Sequence, residues 1–323
     1  MLRRLTDYFG KKEKSVLTPV PSYYSSFGGL WTDRKDAVAV LASKREKLPE
    51  GMADKLQFFI DNGFVILEQA VDHRAIDNYR RDLESASREG DSALLASVPM
   101  AGPQDKDVVP LREADLGAPL TKVLDTYALL PSARTMIFSD PIVNFLKTVF
   151  ESDVLAFQGL HFEKGSTQAI HQDTAYVVLE EPMKLCASWI ALEDVKAGSG
   201  ELIYYPGSHR LPDWLYSGKF KHFNHERDKH EEHMSHLKAL HDRSEEKGLK
   251  LASFLPKKGD VLIWASDLAH GGAQIEDSST TRRSLVTHFT SSNTLPYYFR
   301  FLPENRRVVS QAKPGCSYTT MYY

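Results

Sequence analysis

Two residues of types that bind metals stand one residue apart in the segment HQDTAYV, where His171 and Asp173 flank Gln172. In an extended chain, residues i and i+2 project to the same side, so this spacing directs an imidazole and a carboxylate toward a common point. The H-x-D pattern alone is common, and an ordinary polar turn would also satisfy it. A third ligand from elsewhere in the chain is needed before the pair indicates a metal site.

His270 supplies a candidate for that third ligand. It follows the apolar run DVLIWASDLA and precedes Gly271 and Gly272, which allow backbone or ligand to approach closely. Two histidines and one carboxylate on one face of a metal leave three positions open, which is the arrangement of many non-haem iron(II) oxygenases. The sequence therefore predicts that His171, Asp173 and His270 bind a metal.

An arginine and a serine beyond the third ligand could hold an acidic co-substrate. Arg282 and Ser284 share one face of a predicted strand with His288, whereas Arg283 faces the other way. A guanidinium with a hydroxyl beside it is a good seat for a buried carboxylate. We therefore predict that Arg282, and not Arg283, holds a carboxylate.

The elements around these residues indicate an α+β chain. Residues 1–50 are expected to form an N-terminal extension or arm, and residues 51–323 a single domain with its β-rich core at about 150–292. Helices are predicted from Asp54 to a C-cap at Gly63, over 73–89, and over 131–150 with a break near Pro141. Residues 88–118 are expected to be loop. The predicted core strands lie in VLAFQGLHFEKG, TAYVVLE, LCASWIALEDV, GELIYYPGSH, GDVLIWASDLAHGG and RRSLVTHFTSS.

A charged segment, about residues 213–256, interrupts the strands and is expected to be a helical insertion placed as a lid. Five of its six histidines, His225, His230, His233, His236 and His241, are interpreted as belonging to a solvated helix. A zinc hydrolase built on these histidines is disfavoured, because Lys229 stands where the second histidine of an HExxH motif would be needed after His225.

The chain resembles the phytanoyl-CoA dioxygenase family of iron(II)/2-oxoglutarate-dependent oxygenases over about residues 54–290. The motifs that carry the resemblance are HQD (171–173), Trp189 in ASWIAL, GSGELIYYPGSH (198–209), GDVLIWASDLAHGG (259–272) and RRSLVTHF (282–289). It implies a double-stranded β-helix (a cupin-like jelly roll) flanked by N-terminal helices. It also implies that Fe(II) binds to the three predicted ligands, that Arg282 holds the C5 carboxylate of 2-oxoglutarate, and that Gln172 and Trp189 line the co-substrate pocket. O2 would be the second co-substrate.

One position departs from the family pattern. Related members can carry a hydroxyl residue two positions after the distal histidine, where this chain has Gly272, and Ser284 is expected to compensate. Related halogenases lack the carboxylate ligand, so the presence of Asp173 favours hydroxylation of a C–H bond with release of succinate and CO2. Desaturation and ring closure remain open, as does the substrate itself.

The composition is that of an ordinary globular protein, with 42% hydrophobic and 26% charged residues among 323. A net charge of −3 gives no electrostatic basis for binding nucleic acid or an anionic membrane. Only two cysteines are present, which suits a reducing compartment and predicts a cytoplasmic location. The expected partner is a small-molecule substrate, and the oligomeric state is left open. The alternative to an enzyme is a cupin-like protein that binds metal without turnover.

Overall fold

The computed structural model describes residues 21–88, 93–99 and 106–323. Seven α-helices occur within these ranges: α1 Ala37–Lys44, α2 Met52–Asn62, α3 His73–Arg88, α4 Thr126–Leu129, α5 Pro131–Ile137, α6 Asp140–Phe150 and α7 His230–Glu246. None of the described helices is both long enough and apolar enough to cross a membrane.

Two helices show why these segments fold as they do. In α2 the buried residues Leu56, Phe59 and Ile60 lie on one face, and the helix ends at Gly63, whose positive φ of 79° a side chain would disfavour. The N–H of Gly63 bonds to the carbonyl of Phe59 at 2.8 Å, as predicted for a C-cap. The predicted break near Pro141 is also confirmed, because that proline lies in the first turn of a new helix, α6.

Thirteen strands are formed by the described residues. They are β1 Phe64–Leu67, β2 Leu95–Pro99, β3 Lys106–Pro110, β4 Lys122–Leu124, β5 Val154–Phe162, β6 Leu185–Ala191, β7 Leu202–Tyr204, β8 Ala252–Phe254, β9 Val261–Ala265, β10 His270–Gly272, β11 Ser284–Ser291, β12 Ser310–Lys313 and β13 Cys316–Tyr318.

The strands form one large and one small sheet. The large sheet has the order β1-β9-β6-β11-β5-β4-β2-β3, with β13 added in parallel to β5 and β12 paired to β13. The small sheet has the order β10-β7-β8. All pairings except that of β13 with β5 are antiparallel. The result is a mixed fold of helices and antiparallel sheet, as the α+β prediction required.

Alternate residues of the central strands face two different cores. On β6, Cys186 and Ile190 pack with the helices, while Trp189 packs with residues of the small sheet such as Tyr204 and Phe254. Both faces of the strand are therefore covered, which explains why all of its residues except Ser188 are apolar. The second core lies between the two sheets, and it is this side that carries the predicted metal ligands.

Two expectations for the elements were wrong. Residues 88–118, expected to be loop, contain β2 and β3, which pair with each other, and β2 also pairs with β4. TAYVVLE forms no strand, because a 3₁₀ turn at Asp173–Ala175 ends the extended chain after Gln172. Residues 21–50, part of the expected arm, include the helix α1 with buried Ala37 and Leu41; the first twenty residues of that arm lie outside the described ranges.

Candidate metal centre and co-substrate pocket

The three predicted metal ligands lie together in the structure. One ligand atom from each of His171, Asp173 and His270 falls within 4.8 Å of the others, and all three residues are buried. Oδ1 of Asp173 is 3.8 Å from Nε2 of His171 and 3.6 Å from Nε2 of His270. Two imidazoles and a carboxylate at these distances could hold a divalent metal ion.

Main-chain contacts orient both histidines. The N–H and C=O of His171 pair with those of His270, at 2.8 and 2.9 Å, in an isolated antiparallel bridge. Nδ1 of His171 donates to the carbonyl of Ala169 at 2.8 Å, and Nδ1 of His270 donates to the carbonyl of Leu268 at 2.9 Å. Because a carbonyl can only accept, each Nδ1 carries the proton and each Nε2 keeps a lone pair for a metal.

The electrostatics of the site keep the ligands in their binding forms. Burial lowers the pKa of His171 to about 3, and neighbouring His270 adds to the shift. Burial pushes the pKa of the Asp173 carboxyl up, but His270 and His288 outweigh it, so this pKa lies below its ordinary range. A neutral imidazole and an ionised carboxylate are the forms that coordinate a metal.

Arg282 lies in the same cavity as the triad and is 2% exposed. One terminal nitrogen donates to the carbonyl of Lys164 at 3.3 Å, while its buried Nε has no hydrogen-bond partner among the described residues. The guanidinium lies 5.3 Å from the ring centre of Trp189 and 5.5 Å from that of Phe162. Burial lowers its pKa to about 10. A buried cation without a carboxylate partner fits an acidic co-substrate.

Arg283 lies in different surroundings. Its guanidinium pairs with Glu163 at 2.6 Å and with Glu193 at 2.9 Å, and it lines a separate surface cavity. Two glutamates thus pair directly with Arg283, whereas Arg282 forms no ion pair with any described residue.

Two glycines next to His270 allow a close approach of the preceding segment. A Cβ on Gly271 would lie 2.6 Å from the carbonyl oxygen of Gln168, and one on Gly272 would lie 2.8 Å from Oγ of Ser166. The close approach expected at these glycines is made by the chain at 166–170. It also places the hydroxyl of Ser166, which lines the cavity, beside the position where related members carry theirs.

Comparison with protein families matches residues 59–284, well over half of the chain, to "Phytanoyl-CoA dioxygenase (PhyH)". The chain belongs to the phytanoyl-CoA dioxygenase family. This confirms the predicted enzyme class, a non-haem iron oxygenase that uses 2-oxoglutarate, and it agrees with a His-Asp-His set that could hold iron.

The similarity to individual members of the family is distant. The human peroxisomal phytanoyl-CoA dioxygenase is 22% identical over 257 residues, which cover 74% of this chain and 68% of the relative. The bovine enzyme is 21% identical over the same length and shares.

Two solved structures share the fold. The 2-oxoglutarate-dependent carbocyclase SnoK of nogalamycin biosynthesis superposes with a TM-score of 0.57 at 16% identity, covering 83% of this chain and 96% of that one. The epimerase SnoN of the same biosynthesis gives 0.56 at 16% identity, covering 77% and 86%. At these identities the comparison shows a common fold, and it does not assign a substrate or a reaction.

The other residues predicted to contact the co-substrate, Trp189, Ser284 and Gln172, differ in their positions relative to the cavity. Trp189 lines the cavity, and Ser284 is buried with a hydroxyl that has no hydrogen-bond partner among the described residues. The Gln172 side chain points elsewhere, since its amide donates to the main-chain carbonyl of Asp267 at 2.8 Å. The structure therefore places its amide away from the pocket that the resemblance implied.

Three further residues line the cavity beside the triad. Gln168 donates to Nε2 of His171 at 3.3 Å, His288 lies 3.5 Å from Oδ2 of Asp173, and Trp264 donates to the same oxygen at 2.8 Å. Strand alternation predicted that His288 lies on the face of Arg282. Nothing in the local sequence indicates the other two contacts.

A buried lysine connects the insertion to the segments that carry the predicted metal ligands. Lys221, 3% exposed, donates to Oδ1 of Asp213 at 2.6 Å and to Oδ2 of Asp267. Oδ1 of Asp267 in turn accepts from the hydroxyl of Thr174 at 2.6 Å. Removing the lysine would leave the buried carboxylate of Asp267 and the half-buried one of Asp213 without their counter-ion.

The insertion helix α7 contacts Tyr176, a residue near the predicted metal ligands. The buried residues of its inner face are His233, His236, Leu240 and Ser244, so the expectation of a solvated helix was wrong for this face. Nε2 of His233 lies 2.9 Å from the hydroxyl of Tyr176, whose ring centre is 5.3 Å from that of His171. This contact joins the insertion to the neighbourhood of a predicted metal ligand.

Proposed function

We propose that this protein is an Fe(II)/2-oxoglutarate-dependent dioxygenase that hydroxylates an unactivated C–H bond of a small or medium-sized organic metabolite, with release of succinate and CO2. The observation that carries the proposal is the uncompensated guanidinium of Arg282 in one buried cavity with His171, Asp173 and His270. A protein that only binds metal needs no buried seat for a carboxylate. The proposed scaffold is a double-stranded β-helix formed by the two facing sheets.

In this proposal His171, Asp173 and His270 hold the iron through Nε2, Oδ1 and Nε2. When bound, iron(II) with 2-oxoglutarate and O2 supplies the oxidising chemistry, in which the co-substrate is decarboxylated and the substrate hydroxylated. The three protein ligands occupy one face and leave the other free for the co-substrates.

Arg282 holds the distal carboxylate of 2-oxoglutarate in the proposed complex. The rings of Trp189 and Phe162 flank the guanidinium and exclude water, which strengthens its pairing with a carboxylate. We assign the hydroxyl next to this carboxylate to Ser166, since it lies where a side chain on Gly272 would begin, with Ser284 as a further donor. Gln172 has a supporting role through Asp267 in place of a direct contact.

The substrate enters on the side covered by the insertion, residues 213–256. In this proposal the ring of Tyr176 forms the wall at this side. His233 and His236 of α7 support it through hydrogen bonds to the hydroxyls of Tyr176 and Tyr216. We propose that this segment closes over the substrate and so sets its size.

The test is the dependence of turnover on each component. Succinate formation is measured over a panel of candidate substrates, with Fe(II), 2-oxoglutarate and O2 omitted one at a time. We expect turnover to need all three and to be lost in Asp173→Ala, because that change removes the anionic ligand; Asp194→Ala, which alters an exposed carboxylate, is the matched control.

Turnover that persists after thorough chelation would contradict the proposal. Binding of metal and 2-oxoglutarate without succinate formation on any substrate would instead favour the non-catalytic alternative.

A further inference from the structure

The two oxygens of the Asp173 carboxylate have different surroundings. Oδ1 faces Nε2 of His171 and of His270, at 3.8 and 3.6 Å. Oδ2 points away from that space and accepts a hydrogen bond from the indole Nε1–H of Trp264 at 2.8 Å. His288 is also near Oδ2, at 3.5 Å, but neither of its ring nitrogens has a hydrogen-bond partner among the described residues. The indole is therefore the group that holds this oxygen.

Trp264 is itself held firmly. It lies in β9, opposite Phe64 of β1 and Ala187 of β6, and it is 2% exposed. Its ring centre is 4.9 Å from that of His270. The side chain thus contacts two of the three proposed ligands from a position that the sheet fixes on both sides.

We infer that Trp264 is a positioning residue that makes Asp173 bind metal through Oδ1 alone; this rests on the metal site proposed above. A carboxylate that is free to rotate about its Cβ–Cγ bond can offer a metal both oxygens. Binding through both would occupy a position needed for a co-substrate. The indole N–H removes this option, because Oδ2 is engaged and turned away from the ligand space.

The test compares Trp264→Phe with Trp31→Phe, and Co(II) is the probe. Trp264→Phe keeps an aromatic ring but lacks the N–H. Trp31 is also buried and donates its Nε1–H to the carbonyl of Thr148 at 3.0 Å, so its variant loses an equivalent bond remote from the triad. Co(II) affinity is measured by competition with a fluorescent chelator, and the coordination number is followed by the visible absorption of the bound ion.

We expect Trp264→Phe to weaken Co(II) binding about 10- to 100-fold and to change the absorption spectrum of the bound ion, as loss of a partner to a metal ligand does. Trp31→Phe should leave both unchanged. Wild-type affinity and an unchanged spectrum in Trp264→Phe would overturn the inference while leaving the metal site intact. A wild-type protein that binds Co(II) no better than Asp173→Ala would instead contradict the proposed metal site.

A second measurement needs no change of tryptophan. The chain has four tryptophans, so ¹⁵N-indole labelling should give four N–H resonances. Zn(II) should shift one of them strongly, and Asp173→Ala should shift that same resonance. If Asp173→Ala moves none of the four, the indole does not hold the carboxylate and the inference fails.

Discussion

The adjacent arginines Arg282 and Arg283 have different surroundings, which predict different roles in binding a carboxylate. Arg282 is buried between the rings of Trp189 and Phe162, and within the described part of the chain its one hydrogen-bond partner is a carbonyl. Arg283 points to the opposite side of the sheet and is paired with two glutamates. This difference supports the proposal that Arg282, and not Arg283, holds a carboxylate of a ligand.

Arg282→Ala should therefore raise the dissociation constant of 2-oxoglutarate by about 100-fold or more. The bound carboxylate would lose its buried partner, which costs roughly 3 kcal/mol. Arg283→Ala is the matched control and should change this constant little. Titration of each metal-loaded variant with 2-oxoglutarate measures the effect, and the reverse pattern would show that the neighbouring residue holds the co-substrate.

His209 gives the stability of the fold a dependence on pH. It is 9% exposed, its Nε2 donates to the carbonyl of Ile60 at 3.1 Å, and burial lowers its pKa to about 4. Since the folded pKa lies below the unfolded value, the stabilising contribution is complete above about pH 6.5. It is lost as the pH falls toward 4.

Replacing His209 with Gln should therefore make unfolding less dependent on pH. Between pH 7 and pH 5 the wild type should lose ~2 kcal/mol more free energy of unfolding than His209→Gln. Urea denaturation of both proteins at the two pH values gives the comparison. Parallel losses in the two proteins would mean that another group is responsible.

At this scale the sequence predicts residues that act through spacing and misses those that act through contacts distant in the chain. The H-x-D pair, His270 and Arg282 are recognisable because extended backbone turns i and i+2 to one side. Trp264 cannot be recognised in this way, because its bond to Asp173 joins residues 91 apart. Gln172 was misplaced for a similar reason, since its amide partner is the distant Asp267.

Among the elements, helix α7 has a charged outer face and a buried inner face. Its histidines at 233 and 236 share the hydroxyl of Tyr216, at 2.8 and 2.6 Å, and Tyr176 adds a bond from beside the triad. The helix is thus held by these polar contacts together with a small apolar cluster, in which Leu240 packs with Tyr205, Leu211 and Ala269.

We predict that Tyr176→Phe loosens this attachment. Amide hydrogen exchange in α7 should be up to about 5-fold faster in the variant, because the half-buried hydrogen bond that it loses contributes at most about 1 kcal/mol. Addition of Ni(II) and 2-oxoglutarate to the wild type should slow the same amides. Exchange mass spectrometry resolves the helix from the rest of the chain.

The matched control is Tyr298→Phe, whose hydroxyl bonds to the carbonyl of Phe157, a residue of β5. It should leave α7 unchanged. Equal, strong protection of α7 in all of these samples would identify the insertion as a fixed structural element.

Some of the helices and strands could be predicted from the sequence and others could not, as was true of the site residues. Strands β5, β6, β9 and β11 were predictable because both faces are covered and apolar side chains recur along each of them. The strand expected at TAYVVLE was wrong, since the chain must turn at Asp173 to direct its carboxylate toward the histidines. The inner face of α7 was missed because histidines supply much of it, and histidine does not read as a core residue.

For the whole molecule, three separate segments meet at Asp213 and Asp267. Asp213 accepts from Ser26 of the N-terminal segment at 2.8 Å, and Lys221 of the insertion bridges it to Asp267, which precedes the strand of His270. These contacts join the N-terminal segment and the insertion to the segment that carries His270.

Ni(II) with 2-oxoglutarate should raise the melting temperature of the protein by several degrees. At 100 times the dissociation constant, a ligand that binds only the folded state adds about 2.7 kcal/mol to its stability. Differential scanning fluorimetry is sufficient to detect the shift. Asp173→Ala should show almost none of it, and Asp194→Ala should show all of it; an equal shift in Asp173→Ala would place the binding elsewhere.

The main-chain bridge between His171 and His270 has a thermodynamic consequence for metal uptake. Each histidine already satisfies the N–H and C=O of the other, so their separation is set before any ion arrives. A site of this kind buries little new apolar surface and orders no segment when it fills. Calorimetric titration of Ni(II) at several temperatures should therefore give a heat-capacity change close to zero, unlike the large negative value that accompanies binding coupled to folding.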